Sequence, residues 1–347
     1  MIAMDAKISF MDREVLLSHG SGGKASRRLI EGLILPLLAS TELDRLGDSA
    51  LVKVGRDEVV VTTDSFVVNP RVFPGGSIGE LAVNGTLNDL AVSGAEPLAI
   101  TLAMILEAGL DREELLREVA AVARAAKAAG VEVVTGDTKV VEHGSADGIF
   151  MTTTGIGRLH PAAALSPERA TNGDRVLLSG AVGDHGITIL LERGELDLVS
   201  DSLRSDTRAV WPYVRALLDA FGSEIKWMRD PTRGGLATTL NEFAVAAGFK
   251  VVLEESEIIV HEPVRGACEI LGLDPFHIAN EGQFVAVVSA AVASEAEELL
   301  RSLPGGEEAR IIGTVMDSEI SIVVCNTAYG ASRVLDMLSG DPLPRIC

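Results

Sequence analysis

The chain predicts an α/β fold with mixed α+β sheets, divided into two domains. Three observations carry this. Its 347 residues are about twice the usual domain length of ~150. Strand-like and helix-like stretches mix without strict alternation, which disfavours a barrel of eight βα units. A stretch rich in Pro, Ser and Asn, from His160-Pro161 to Gly173, marks a seam. The expected division is 1–160, 161–340, and a flexible tail at 341–347.

In order, the first half reads as strand 14–18, a Gly-rich loop, and helix 23–38. Strands 50–54 and 58–68 follow, then a helix over 77–94 that Ser77 is placed to cap. Strand 98–106 leads into DREELLREVAAVARAAKAAG, where Asp111 fits the N-cap and acids fill the first turn. Gly130 supplies its stop. Strands 131–135 and 148–158 close this half. The second half reads as strand 175–179, a helix from 184, helix 206–221, a strand near 225–228 and a helix from about Arg233. Strand 250–254, helix 262–271, strand 284–289 and helix 292–302 follow, then strands 310–316 and 320–325 and a last helix 327–339. Leu87–Gly94 echoes Leu240–Ala247 on two predicted helices. An internal duplication and a chance likeness of amphipathic helices both account for the echo.

Apolar residues make up 47 % and charged residues 23 %, a globular composition that excludes disorder as the dominant state. The net charge of −20 argues against sequence-blind binding to nucleic acid or an anionic membrane. No apolar run reaches the ~20 residues of a bilayer span, and the N-terminus lacks the pattern of a secretory signal. A cytoplasmic, reducing location is therefore expected. Three scattered cysteines make neither a disulfide framework nor a zinc cluster, and Cys268 and Cys325 lie in apolar, core-like contexts.

Four segments suit chemistry. In Ser18-His19-Gly20-Ser21-Gly22-Gly23-Lys24, glycines before a helix let several N–H groups face one anion, with Lys24 as a mobile cation. The spacing is not that of a Walker loop, and a flexible turn is the competing reading. Asp48, Asp64, Asp89, Asp137 and Asp230 stand at element ends. Singly such residues are caps or turn formers. Together they suit Mg²⁺, which takes carboxylates plus phosphate oxygens. Lys24, Lys139, Arg229 and Arg233 are the cations beside them. Glu281, in Asn280-Glu281-Gly282, reads by itself as a solvated turn residue. The last residues, Asp341-Pro342-Leu343-Pro344-Arg345-Ile346-Cys347, form an extended arm of roughly 20 Å at ~3.1 Å per residue. It ends in a thiol, whose ionised form Arg345 favours and the terminal carboxylate opposes. A frayed end with an incidental Cys is the competing reading.

The segments HGSGGK, GDSALV, TTDSFVV, NDLAVSGAEP, GDTKVV, RDPTRGG and NEG, in this order from Ser18 to Gly282, resemble the superfamily of aminoimidazole ribonucleotide synthetase, selenophosphate synthetase and thiamine monophosphate kinase. Within it, the ending PRIC is similar to that of the hydrogenase maturation family HypE. The resemblance implies an aminoimidazole ribonucleotide synthetase-like fold whose N-terminal domains pair into the β-barrel of a homodimer. It assigns ATP binding and dimerisation to 1–160 and a synthetase-like role to 161–340. It further implies ATP and Mg²⁺ as cofactors, a carbamoyltransferase (HypF) as donor and a HypC–HypD scaffold as acceptor. The implied reaction is ATP-dependent dehydration of an S-carbamoyl group on Cys347 to a thiocyanate, the source of cyanide for the iron of [NiFe] hydrogenase. Cys347 is then the carrier, and Lys139 and Glu281 are candidate proton-handling groups. Gly22, Gly23, Lys24, Asp48, Asp64, Asn84, Asp89, Asp137 and Asp230 are candidates for the nucleotide, the five acids also for the metal. The alternatives are a small-molecule ATP-dependent kinase or synthetase of the same superfamily, and a non-enzymatic adapter that presents a thiol. Selenophosphate synthesis is disfavoured because the Gly loop carries Ser21 and no Cys.

Overall fold

A computed structural model describes residues 10–20, 23–38, 43–55, 57–194, 200, 202–338 and 345–347. Gly22 and residues 341–344 of the arm lie outside them. The first half opens on helical turns, α1 (Gly23–Leu29) and α2 (Leu35–Leu38), joined by a π-helical turn at Ile30–Ile34. Next come β1 (Ala50–Val54), β2 (Asp57–Phe66) and the short ribbon β3 (Val72–Phe73) and β4 (Gly76–Ser77). Then follow α3 (Ile78–Val92), β5 (Ala95–Glu107), α4 (Arg112–Ala129), β6 (Glu132–Val141) and β7 (Ile149–Leu159). The sheet order is β1-β2-β7-β5-β6, antiparallel except for the parallel pair β5–β6. Alternating side chains of β2 and β7 turn toward α3, so Val60, Phe66, Met151 and the α3 residues Leu81, Leu87 and Leu90 share one core. Asp111 caps α4 by accepting from the backbone of Glu113 and Glu114, and Gly130 ends it at φ 73°.

The second half contains β8 (Arg175–Leu178), α5 (Asp184–Glu192), α6 (Trp211–Phe221), β9 (Ile225–Arg229), α7 (Gly235–Ala247) and β10 (Lys250–Glu254). It is completed by α8 (Glu262–Leu271), β11 (Val285–Val288), α9 (Ala293–Ser302), β12 (Arg310–Met316), β13 (Ile322–Asn326) and β14 (Ser332–Leu335). Its seven-stranded sheet has the order β14-β13-β10-β12-β8-β11-β9. One face packs on α7 through Leu236, Leu240 and Phe243, the other on α6 and α9 through Val214, Leu217 and Leu300. β11 is buried at every position, as a strand covered on both faces must be. Ala91 and Val92 of α3 belong to that second layer, so α3 bridges the two halves.

Two expected elements are absent. The strand expected at 14–18 is instead an irregular stretch leading into a 3-10 turn at Leu17–Gly20, where buried His19 accepts from the backbone of Leu16 and bonds Asp12. The helix expected at 327–339 is a hairpin. Gly330 turns at φ 81°, Thr327 and Ala331 pair across the turn, and Ser332–Leu335 pairs antiparallel with Val323–Asn326. The helix expected from 206 begins only at Trp211, because Pro212 suits a first turn and Val210 donates its N–H to Asn88 instead. β6 runs further than its expected end, to Val141, along its parallel partner β5. Both members of the internal echo lie on helices, in α3 and α7.

Candidate active site

Four acids named from the sequence meet where the two sheets face each other across α3. Thr62 and Asp64 lie two residues apart on β2 and so point to the same side, toward α3. Thr62 donates to a carboxylate oxygen of Asp89 on α3 at 2.8 Å, and Thr86, three residues before Asp89, donates to Asp64 at 3.4 Å. Asp48 precedes β1, and Asp230 follows the last residue of β9. Carboxylate oxygens of Asp48, Asp89 and Asp230 all lie within 4.8 Å of one another. Burial, with Asp64, Asp230 and Asp48 as like charges, holds the Asp89 carboxyl well above the usual range. Burial and Asp48 push Asp230 to about 8, against the pull of Arg229. Arg229 is tied at 2.7 Å to Asp48 and at 2.9 Å to Glu242. This donor set of hard carboxylate oxygens suits Mg²⁺.

Glu281 forms the opposite wall. Asn280 fixes its loop by donating to the carbonyl of Pro231 at 3.0 Å and accepting from the N–H of Gly183 at 2.7 Å. Asp206 accepts the backbone N–H groups of Glu281 and Gly282, and a Cβ at Gly282 would collide with the Asp206 carbonyl. Asn88 of α3 donates to the carbonyl of Glu281 at 3.0 Å. The Glu281 carboxyl is buried and held well above its usual range, first by burial and then by Asp230 and Asp206, with Arg233 opposing. Arg233 reaches in from the turn before α7. There Gly235, at φ 60°, brings the backbone against the carbonyls of Phe276 and Ile278 too closely for any side chain.

Cys347 is docked in this pocket. Its Sγ lies 3.2 Å from Arg233 Nε. Burial raises the thiol, Arg233 lowers it, and Glu281 and Asp64 raise it further. Arg345, expected to favour the thiolate, turns away from the sulfur to Asp147 at 2.7 Å and the Val67 carbonyl at 3.1 Å; Arg233 takes that place. Cys268 and Cys325 are buried, as expected, and burial pushes both thiols to about 11.

Among the remaining described candidates, Asn84 lies near Glu281 and the others make separate contacts. Lys24 pairs with Asp336 at 2.5 Å, and its N–H bonds the Leu338 carbonyl at 3.1 Å, so Gly23 and Lys24 clamp the chain just after β14. Asn84 is buried on α3, one turn before Asn88. Asp137 and Lys139 pair with each other at 2.5 Å on β6, exposed. The register runs Asp64–Thr153–Leu102–Gly136 across the sheet, so β6 lies three strand spacings, about 14 Å, from Asp64. Sequence reading missed Thr62, Asp206 and His185, which bonds the Ile346 carbonyl at 2.7 Å. The first sits inside a motif already singled out, TTDSF; the other two carry no local signal.

A family model described as AIR synthase related protein, N-terminal domain, matches residues 46–159, and its C-terminal counterpart matches 171–326. A carbamoyl dehydratase HypE of Azotobacter vinelandii is 48 % identical over 342 residues, spanning 99 % of this chain and all of its own. The chain belongs to the HypE family of carbamoyl dehydratases. A solved HypE–HypF complex shares 42 % identity at a TM-score of 0.84, over 89 % of this chain and 99 % of that one. A HypE solved in complex with ATP shares 44 % identity at a TM-score of 0.80, over 96 % and 100 %. Among the described residues, no helix is long and apolar enough to cross a membrane.

Proposed function

We propose that this HypE-family chain uses ATP to dehydrate an S-carbamoyl group on Cys347 to a thiocyanate, supplying the cyanide ligand of [NiFe] hydrogenase iron. The observation that carries the reading is the docked sulfur, 3.2 Å from Arg233, between Glu281 and the acid cluster. A thiocarbamate, S–C(=O)–NH₂, does not lose oxide at neutral pH. Phosphoryl transfer from ATP to its carbonyl oxygen makes phosphate the leaving group, and removal of the nitrogen protons then gives S–C≡N.

This chain's residues meet each demand. The tail dock holds the reacting carbon in one place. Arg233 faces the charge that develops on the oxygen. Glu281 takes a nitrogen proton. Burial, ahead of Asp230 and Asp206, favours the protonated Glu281 carboxyl, and Arg233 opposes it. Asp48, Asp89 and Asp230 would hold Mg²⁺, which supplies positive charge to phosphate oxygens.

In the same reading the chain is a homodimer in the cytoplasm, with HypF as carbamoyl donor and the HypC–HypD complex as acceptor. The exposed valines of β6 and the adjoining sheet face support pairing with a second copy in a shared barrel. Asp137 and Lys139, about 14 Å from the site within one chain, act on phosphate or proton only as such a pairing brings them to a tail. Mass spectrometry of the protein, carbamoylated at Cys347 and given Mg–ATP, is expected to show loss of one water from the C-terminal peptide. Cys347→Ala is expected to retain the fold and show no adduct. An adduct on another residue, or ATP turnover without water loss, overturns the reading.

A further inference from the structure

The last three residues are held as a ligand is held. Val67 donates its N–H to the Cys347 carbonyl at 3.0 Å, and Asn69 donates to the Arg345 carbonyl at 3.2 Å. The two pairs step by two residues in opposite directions, with Arg345 at φ 55° turning its side chain aside. Side chains supply the reading. Arg345 meets Asp147 at 2.7 Å and the Val67 carbonyl at 3.1 Å, and its own carbonyl also accepts from Arg193 at 3.0 Å. Ile346 is 5 % exposed and belongs to the apolar cluster of Val68, Phe73 and Ile187. Its carbonyl bonds His185 Nε2 at 2.7 Å, and His185 Nδ1 bonds the Ser205 hydroxyl at 2.7 Å. With Nε2 donating to a carbonyl, a neutral ring leaves Nδ1 to accept, and burial favours that neutral ring. Cys347 then meets Arg233. These partners come from both halves of the molecule, and each addresses a feature of residues 345–347 themselves.

We propose that this groove is a peptide-binding site specific for the ending Arg-Ile-Cys, so that it accepts such a peptide as a separate molecule and dehydrates its S-carbamoyl group in trans. Binding rests on the groove alone; turnover rests on the dehydratase reading above. The reaction balances as S-carbamoyl peptide plus ATP giving S-cyano peptide, ADP and phosphate. The carbonyl oxygen leaves on phosphate, and the two nitrogen protons pass to phosphate and solvent.

The test uses full-length protein carrying Ile346→Asp, whose own tail cannot bury that side chain. The probe is the synthetic peptide Asp-Pro-Leu-Pro-Arg-Ile-Cys, S-carbamoylated with cyanate and labelled at its N-terminus. Anisotropy is expected to show saturable binding, with affinity at least about tenfold lower for a peptide carrying Arg345→Glu, which sets like charges together. A similar or larger loss is expected for a peptide carrying Ile346→Asp, which forfeits the buried side chain. Unsubstituted protein is expected to bind the peptide at least about tenfold more weakly, because its tethered tail competes at an effective concentration of order millimolar. A full-length Arg345→Glu host repeats the measurement should the first variant misfold. Equal affinity for all three peptides, or no binding to either host, overturns the site. With Mg–ATP, the bound peptide is expected to lose one water. If carbamoylated Cys347 of the unsubstituted chain converts and the bound peptide does not, activity in trans is overturned. If neither converts, the dehydratase reading fails while the peptide site stands.

Discussion

Asp89 is the residue at which binding and stability part company. It stands half-buried among Asp48, Asp64 and Asp230, and the Thr62 hydroxyl donates to it. Asp89→Asn removes a carboxylate from among like charges and, in the reading proposed above, a ligand for Mg²⁺. The variant is expected to melt no lower than the parent while its affinity for Mg–ATP falls at least about tenfold in calorimetry. Saturating nucleotide at 100 times its Kd stabilises by about 2.7 kcal/mol. Thermal scans should therefore show a ligand-induced rise of several degrees in the parent that shrinks in the variant. Undiminished affinity removes Asp89 from the site. At this scale the sequence was informative about acids, since carboxylates at element ends beside Gly and Thr were visible one by one. Convergence was not visible. Asp64 and Asp89 meet because β2 and α3 pack, whereas Asp137, in an equally suggestive segment, lies on the far edge of the same sheet.

Among elements, α5 carries a dependence on pH. Its first residue, Asp184, faces His261 at 2.9 Å, and burial raises the Asp184 carboxyl to about 6 against that partner's pull. The folded chain thus keeps a proton that the unfolded chain releases near its ordinary 3.8. The associated stability is full below about pH 4, is lost as pH climbs through 6, and is constant above; its ceiling is about 3 kcal/mol. Urea unfolding of Asp184→Asn against the parent should shift in the variant's favour by about 2 kcal/mol between pH 4 and pH 6.5. A difference that does not change with pH rejects the assignment. Elements with strong local signals, such as α4 between Asp111 and Gly130, were legible in full. The hairpin at 322–335 was not, because Ser332–Leu335 becomes a strand through its partner β13, and local sequence holds no record of a partner.

For the whole molecule, the proposed pairing of two copies turns on β6. Its outer residues Val133, Val134 and Val140 are 42 %, 54 % and 68 % exposed, on a strand edge with unpaired backbone groups. Val134→Asp is expected to convert a dimer to a monomer in sedimentation at micromolar concentration, with secondary structure unchanged. A dimer that survives locates the pairing surface elsewhere. The net charge of −20 argues against sequence-blind binding to nucleic acid, but it gives no hint that so much of the negative charge near the site is mutually opposed. The docking of the tail was equally out of reach, since Val67, Asp147 and His185 come from three separate segments.

The clamp of Lys24 on the stretch after β14 sets a leash. Leu338 is pinned by the Lys24 N–H, and Cys347 lies nine residues further along the chain. Even drawn straight, that length spans about 30 Å. Whatever loads the thiol, and whatever unloads it, must bring its reacting atoms inside that radius of one fixed point on the surface.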